Sequence, residues 1–241
     1  MNPERRQLLA WGAAAAAGAM LAPGLRLVEL AQARSPEEAA SKLQRWGLLI
    51  DIAKCGECDA CVTACHEENG VTSRGRPTTD PQWIRKVSLA DRQTGYVQTL
   101  PLMCQHCEHP PCVDVCPTGA SFKRADGIVL VDKHTCIGCR YCVMACPYAA
   151  RSFVHEATSG QKPDVPRGKG TVESCTLCVH RVDRGDTPAC VVACNRDGGR
   201  AMAFGDLNDK GGVLYQRLRD EPSSQIRADL ALNTGVRYQG L

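Results

Sequence analysis

Aromatic side chains are scarce in this sequence, with three Phe, three Trp and five Tyr among 241 residues. That is thin material for a large side-chain core, since aromatics carry much of the buried area in ordinary domains. Charge of one sign is also lacking. The net value of +3 gives no sign of the basic face that a nucleic-acid binder presents. Beyond the N-terminal segment no apolar run is long enough to cross a bilayer. Catalytic signatures are missing too: there is no phosphate loop, no dinucleotide fingerprint and no Ser-His-Asp order, and the Gly198-Gly199 pair follows a cysteine group instead of a strand. These absences suit a carrier better than a chain that makes and breaks bonds.

What is abundant is cysteine, sixteen residues in four groups of four with none left over. The first quartet is Cys55, Cys58, Cys61 and Cys65. The second is Cys104, Cys107, Cys112 and Cys116, followed by Pro117. Cys136, Cys139, Cys142 and Cys146, followed by Pro147, form the third, and Cys175, Cys178, Cys190 and Cys194 the fourth. Every quartet opens with C-x2-C and closes with C-x3-C. Three thiolates at two-residue spacing wrap three corners of one iron–sulfur cube. The fourth, carried on by a further turn of chain, serves a neighbouring cube. Zinc also binds C-x2-C pairs, but it draws two ligands from each of two separated pairs. A disulfide framework fits poorly, because repeated close spacing makes weak loop staples.

The stretch between the second and third quartets contains two short strands, Ala120 to Lys123 and Ile128 to Asp132, around the Asp126-Gly127 turn. This compact module pairs those two quartets. Cys104, Cys107, Cys112 and Cys146 would then hold one [4Fe-4S] cluster, and Cys116, Cys136, Cys139 and Cys142 another. By elimination the outer quartets pair across the chain: Cys55, Cys58, Cys61 and Cys194 for a third cluster, Cys65, Cys175, Cys178 and Cys190 for a fourth. The fold expected is α+β, two ferredoxin-like double-cluster modules, one inserted in the other, with small hairpins, short helices and long loops. Residues 34–103 and 156–205 form the outer module, 104–155 the inner one, and 206–241 a C-terminal extension.

Residues 1–33 read as a twin-arginine signal peptide. Arg5 and Arg6 precede a mild Ala/Gly-rich apolar stretch, and Ala31-Gln32-Ala33 supplies a cleavage site; retention as an uncleaved anchor is the alternative. Export implies a periplasmic location, where sixteen free thiols would oxidise. Cofactor insertion in the reducing cytoplasm, followed by export of the folded chain, resolves that conflict.

The stretches "CQHCEHPPCVDVCPTGA", "DGIVLVDKHTCIGCRYCVMACPY" and "CTLCVHRVDRGDTPACVVAC" resemble the four-cluster iron–sulfur subunits of the DMSO reductase (molybdopterin oxidoreductase) superfamily. The resemblance runs from about Trp46 to Phe204. It implies two ferredoxin-like halves that line four clusters in a row, in a subunit set between a catalytic or haem redox partner and an integral-membrane, quinone-interacting partner. Some members carry Trp at the second position of the third quartet and hold a three-iron cluster there. This chain has Cys139, which implies four [4Fe-4S] clusters. "TTDPQWIRK", "KPDVPRGKGTVESC" and "RADLALNTGVRYQGL" are most similar to the exported DsrO-type subunits of the DsrMKJOP complex of sulfur metabolism. Tetrathionate and nitrite reductase subunits are the alternative within the family, and a free periplasmic polyferredoxin or a metal-storage protein the alternatives outside it. His66 and Asn195 depart from the pattern, standing where the inner quartets have proline.

Other residues carry two readings. His66 is a polar neighbour of a cluster, since C-x3-C-H is one residue too long for covalent haem. His106 and His109 either tune cluster sulfurs or lie plainly on the surface. Lys162, Arg167, Lys169, Arg181 and Arg184 form a solvated face or steer a redox partner. Gly160, Pro163, Pro166, Gly168 and Gly170 mark a linker returning to the outer module. A hairpin is expected at Thr94-Gly95, a short helix from about Gly212, and a tail that packs on a partner.

Overall fold

The computed structural model describes residues 40–241, so the signal peptide expected over residues 1–33 lies outside the described residues. In chain order the elements begin with β1 (Trp46–Asp51), α1 (Ala60–Asn69), β2 (Ile84–Ala90) and β3 (Val97–Met103). Then come α2 (Pro111–Asp114), β4 (Ser121–Lys123), β5 (Val129–Val131), α3 (Tyr141–Ala145) and β6 (Ser152–Phe153). The last are β7 (Val172–Glu173), α4 (Val179–Val182), α5 (Ala189–Asp197), β8 (Met202–Asp206), α6 (Val213–Asp220) and β9 (Val236–Gln239).

Among the described residues the largest sheet has three strands in the order β8-β1-β9. β1 reads WGLLID, a continuous apolar run that is buried along nearly its whole length, as a strand covered on both faces should be. β8 joins it antiparallel, with Leu48 opposite Phe204. On the other side β9 runs parallel, with Leu48 opposite Val236. Trp46 stacks on Phe204 with centroids 5.1 Å apart. The three remaining sheets are two-stranded: β2-β3, β4-β5 and β6-β7.

Several local expectations hold. Gly95 has φ 71° in the β2-β3 turn, Gly127 has φ 86° in the β4-β5 turn, and Gly212 caps α6. The Pro/Gly-rich linker is the loop of a long hairpin, because β6 pairs with β7 across it.

The C-terminal tail departs from expectation. Instead of waiting for a partner, it completes the chain's own sheet through β9, with Val236 and Tyr238 buried. It also clasps the second quartet: Gly235 N donates to the Gln105 carbonyl at 2.8 Å, and Gln105 Nε2 donates to the Tyr238 hydroxyl at 3.1 Å. "VRYQ" alternates apolar and polar residues, the mark of a strand with one covered face.

Candidate iron–sulfur centre

In the outer quartets the C-x3-C ending lies wholly on a helix. On α1, Cys61 and Cys65 lie four apart and both are buried, and Asn69 continues the same face, since residues four apart stack on a helix. Cys190 and Cys194 repeat the arrangement on α5, which packs against α1. In the inner quartets only the first cysteine of the ending lies on a helix, Cys112 on α2 and Cys142 on α3, and the last falls just past its end; the two short helices pack together. These stop after four and five residues, with Pro117 and Pro147 close behind, because proline lacks the N–H and its ring clashes with the preceding turn. His66 and Asn195 impose no such stop, so α1 and α5 extend to ten and nine residues. The departure from the pattern lengthens helices and keeps the cysteine faces.

The C-x2-C openings are tight turns. The residue before the second cysteine is left-handed in three of them: His106 (φ 43°), Gly138 (φ 70°) and Leu177 (φ 55°). This geometry costs an L-residue about 1–2 kcal/mol. In such turns it can bring successive N–H groups onto one concave side, an arrangement that cradles anions at iron–sulfur sites. Gly138 is also closely packed, for an added Cβ would stand 2.1 Å from the Gly170 carbonyl oxygen. Gly138→Ala is therefore expected to lose the cluster held beside it, about 4 irons per chain. An unchanged iron count would refute this.

All sixteen cysteines are free, and they gather across quartets. Burial pushes the Cys61 thiol up to about 12, and the nearby Cys194, Cys55 and Cys58 sulfurs push the same way. Cys65 is driven well above its ordinary value by burial and then by Cys175, Cys190 and Cys178. For Cys107, burial raises the thiol to about 12, with Cys112 and Cys146 adding; Cys104 has the same two neighbours. Burial likewise raises Cys142, which faces Cys136 and Cys116, and Cys139 lines a small cleft with all three. So the structure brings together four groups of four sulfurs.

Adjacent groups also meet. Cys190 feels Cys61, Cys175 feels Cys104, and Cys112 feels Cys142. In the end groups Cys58 and Cys139 are exposed, whereas the thiols of the two middle groups are buried apart from Cys146, which is half-buried.

The donor set suits a cluster. Backbone N–H groups donate to sulfur from Ser121 to Cys116 at 3.3 Å, from Val172 to Cys136 at 3.4 Å, from Leu177 to Cys175 at 3.4 Å and from Ala201 to Cys194 at 3.3 Å. Such donors favour thiolate and tune an iron–sulfur centre. A single zinc ion would need its sulfurs at about 2.3 Å, and among the described residues no three metal-binding side chains are placed to hold one ion.

Sequence reasoning missed several supporting residues. Asn69 Nδ2 lies 3.7 Å from Cys65 Sγ and 4.0 Å from Cys178 Sγ, and its four-residue step from Cys65 was the available signal. Lys86 Nζ straps the first quartet by donating to the carbonyls of Gly56 and Cys58. His106 is no surface histidine: it is buried, and its Nδ1 accepts from Val129 N at 3.1 Å. His109 is exposed and His66 half-buried. Of the five basic residues expected on a solvated or docking face, Arg167 is buried against Glu173, and Arg181 pairs with Glu68. Arg184 pairs with Asp164, Lys162 donates to the Glu67 carbonyl, and Lys169 is exposed.

Small mixed sheets, cysteine helices in pairs and sixteen gathered thiols define an α+β iron–sulfur protein with two ferredoxin-like dicluster domains and four [4Fe-4S] clusters. Family models described as "4Fe-4S dicluster domain" match residues 96–207 and 50–120. The chain is 41% identical to the Hdr-like menaquinol oxidoreductase iron-sulfur subunit 1 of Archaeoglobus fulgidus, over 98% of both chains. It is 40% identical to a tetrathionate reductase subunit of Salmonella typhimurium, over 92% of this chain and 84% of that one. A sulfite dehydrogenase subunit of Allochromatium vinosum is 38% identical over 79% and 81%. The chain belongs to the family of DMSO reductase-type iron–sulfur subunits, which transfer electrons within oxidoreductase complexes.

Proposed function

We propose that the four sulfur groups hold one [4Fe-4S] cluster each and act as a single row. Its first cluster is bound by Cys55, Cys58, Cys61 and Cys194, and its second by Cys65, Cys175, Cys178 and Cys190. Cys104, Cys107, Cys112 and Cys146 bind the third, and Cys116, Cys136, Cys139 and Cys142 the fourth. The observation that carries this reading is the pattern of exposure. One cysteine at each end of the row, Cys58 and Cys139, is open to solvent, while the middle cysteines are buried apart from the half-buried Cys146, as suits a wire with two terminals. Bound clusters supply one-electron redox steps. The protein's own part is to space them, donate N–H groups to their sulfurs and exclude water from the middle pair.

The pairing of β1 with β8 and of α1 with α5 supports an outer module, residues 34–103 and 156–205, with residues 104–155 inserted in it and 206–241 as an extension. The chain is further proposed to be exported folded by the twin-arginine route to the periplasm. There it would join a membrane complex of sulfur metabolism of the DsrMKJOP type, between an integral-membrane quinone-interacting subunit and a haem or catalytic redox subunit. Similarity along nearly all of a menaquinol oxidoreductase subunit supports this reading. No helix among the described residues is long and apolar enough to cross a membrane, so in this reading membrane association runs through partners. Similarity to a tetrathionate reductase subunit supports the second reading, in which the electrons serve a reductase of that kind.

The test is anaerobic expression with the leader intact, cell fractionation, co-purification, and an iron count with EPR titration. About 16 irons per chain, in a periplasmic complex with membrane and redox partners, is expected. Cys65→Ala and Cys175→Ala should alter the same EPR signal, and Cys61→Ala a different one. If Cys65→Ala and Cys61→Ala altered the same signal instead, the assignment of ligands would be wrong.

A further inference from the structure

Arg151 follows the third quartet by five residues and is only 4% exposed. Its Nε, Nη1 and Nη2 have no hydrogen-bond partner. A buried charge is tolerated only when something of opposite sign faces it. Among the described residues the other buried arginine obeys that rule, since Arg167 grips Glu173 through Nε at 3.0 Å and Nη2 at 2.6 Å. Arg151 forms no such ion pair with a carboxylate among the described residues. The sulfurs of Cys112, Cys104 and Cys142 act on it electrostatically, and Lys133 and His106 lie near enough to feel its charge. Its guanidinium lies among those sulfurs, with the Cys142 and Cys112 sulfurs near enough to share its N–H groups although none is aligned as a full hydrogen bond.

Those sulfurs come from two groups. Cys104 and Cys112 belong to the third and Cys142 to the fourth, and Cys112 and Cys142 are themselves neighbours. Arg151 therefore stands where the third and fourth groups meet. A guanidinium stays charged at every working pH, so the cation there is permanent.

We propose that Arg151 is the fixed counter-cation of the third and fourth clusters, a positioning residue that raises the reduction potential of both. This rests on the ligand assignment proposed above. A cubane with four thiolates is a net anion, and one added electron makes it more so. Net charge is among the factors that set such potentials, and a cation held at the junction stabilises the reduced form more than the oxidised one. The step it governs moves one electron between neighbouring clusters: one cluster is oxidised and the other reduced, with no bond broken and no proton transferred. The same charge offsets the repulsion an electron on one cluster exerts on its neighbour.

The experiment is an EPR redox titration of the full chain, purified anaerobically with its partners, for wild type, Arg151→Gln and Arg151→Lys. In Arg151→Gln two of the four clusters should become harder to reduce. Their reduced-to-oxidised ratio at a given potential should fall at least tenfold, about 59 mV for a one-electron couple, while the other two move less. Arg151→Lys keeps the charge and should recover most of that change. The proposal is overturned if Arg151→Gln carries its full iron with all four potentials unchanged, or if Arg151→Lys shifts as far as Arg151→Gln. Loss of iron from both variants overturns it too, by showing a scaffold role alone. A wild-type chain short of about 16 irons would instead defeat the four-cluster reading. The paired cysteine variants separately report a wrong ligand assignment.

Discussion

Removal of iron from the loaded chain is expected to unfold it. After anaerobic chelation the far-UV signal of α1 and α5 should be lost, and it should return only when iron and sulfide are restored. The reason lies in what forms the interior. Cys61 and Cys65 on α1 face Cys190 and Cys194 on α5, all four buried, and little else lies on that face: Asn69 on one helix, Val191 and small alanines on the other. Without a cluster between them the helices would confront each other across polar thiols and the space the cluster had filled. Empty core volume is costly, and short helices are marginal without tertiary packing. When a site forms only in the folded chain, metal-binding energy becomes folding energy. Complete chelation with an undiminished helical signal would show that the side chains suffice alone.

Glu173→Ala should destabilise the iron-loaded protein by about 3–5 kcal/mol, the usual cost of stranding one member of a buried ion pair. Glu173 has 0% side-chain exposure, and its partner Arg167 has 5%. Arg167 also donates through Nη1 to the Gly70 carbonyl, the left-handed C-cap of α1. The pair thus ties the strand leading into the fourth quartet to the end of the helix carrying the first. The loaded variant should show a lower thermal midpoint and faster loss of cluster absorbance. The double variant Arg167→Met/Glu173→Leu, which removes both charges, should recover much of the loss. A double variant no better than Glu173→Ala would mean that the pair's shape, not its charge, holds this junction.

The residues that can be read from sequence are those whose chemistry repeats. C-x2-C and C-x3-C mark ligands because a short turn and a four-residue helical step are the local ways to aim thiols at a common point. Asp126-Gly127, Thr94-Gly95 and Gly212 mark turns and a helix start because glycine is tolerated where other residues are strained. Arg167 and His106 misled because a charged or polar residue in a loop is ordinarily solvated. Only the approach of the linker to the end of α1 and to Glu173 buries Arg167, and only the β5 hydrogen bond to Nδ1 explains His106. Arg151 carried no signal at all: a lone arginine five residues past a cysteine looks like any other. The tail misled differently. Its alternation was visible, but a strand's partner is chosen by edges formed far away in sequence.

Local spacing by itself pointed to iron–sulfur clusters and to four of them, because in three quartets the thiols lie within a few residues of one another and the fourth repeats the same opening and ending around a longer gap. Tertiary structure decided which distant cysteine lies beside each set of three, that β9 closes the sheet and clasps the second quartet, and that a buried guanidinium without a carboxylate partner lies among sulfurs of the third and fourth groups. Those outcomes depend on contacts between segments far apart in the chain, where burial and charge are settled only once the backbone has brought them together.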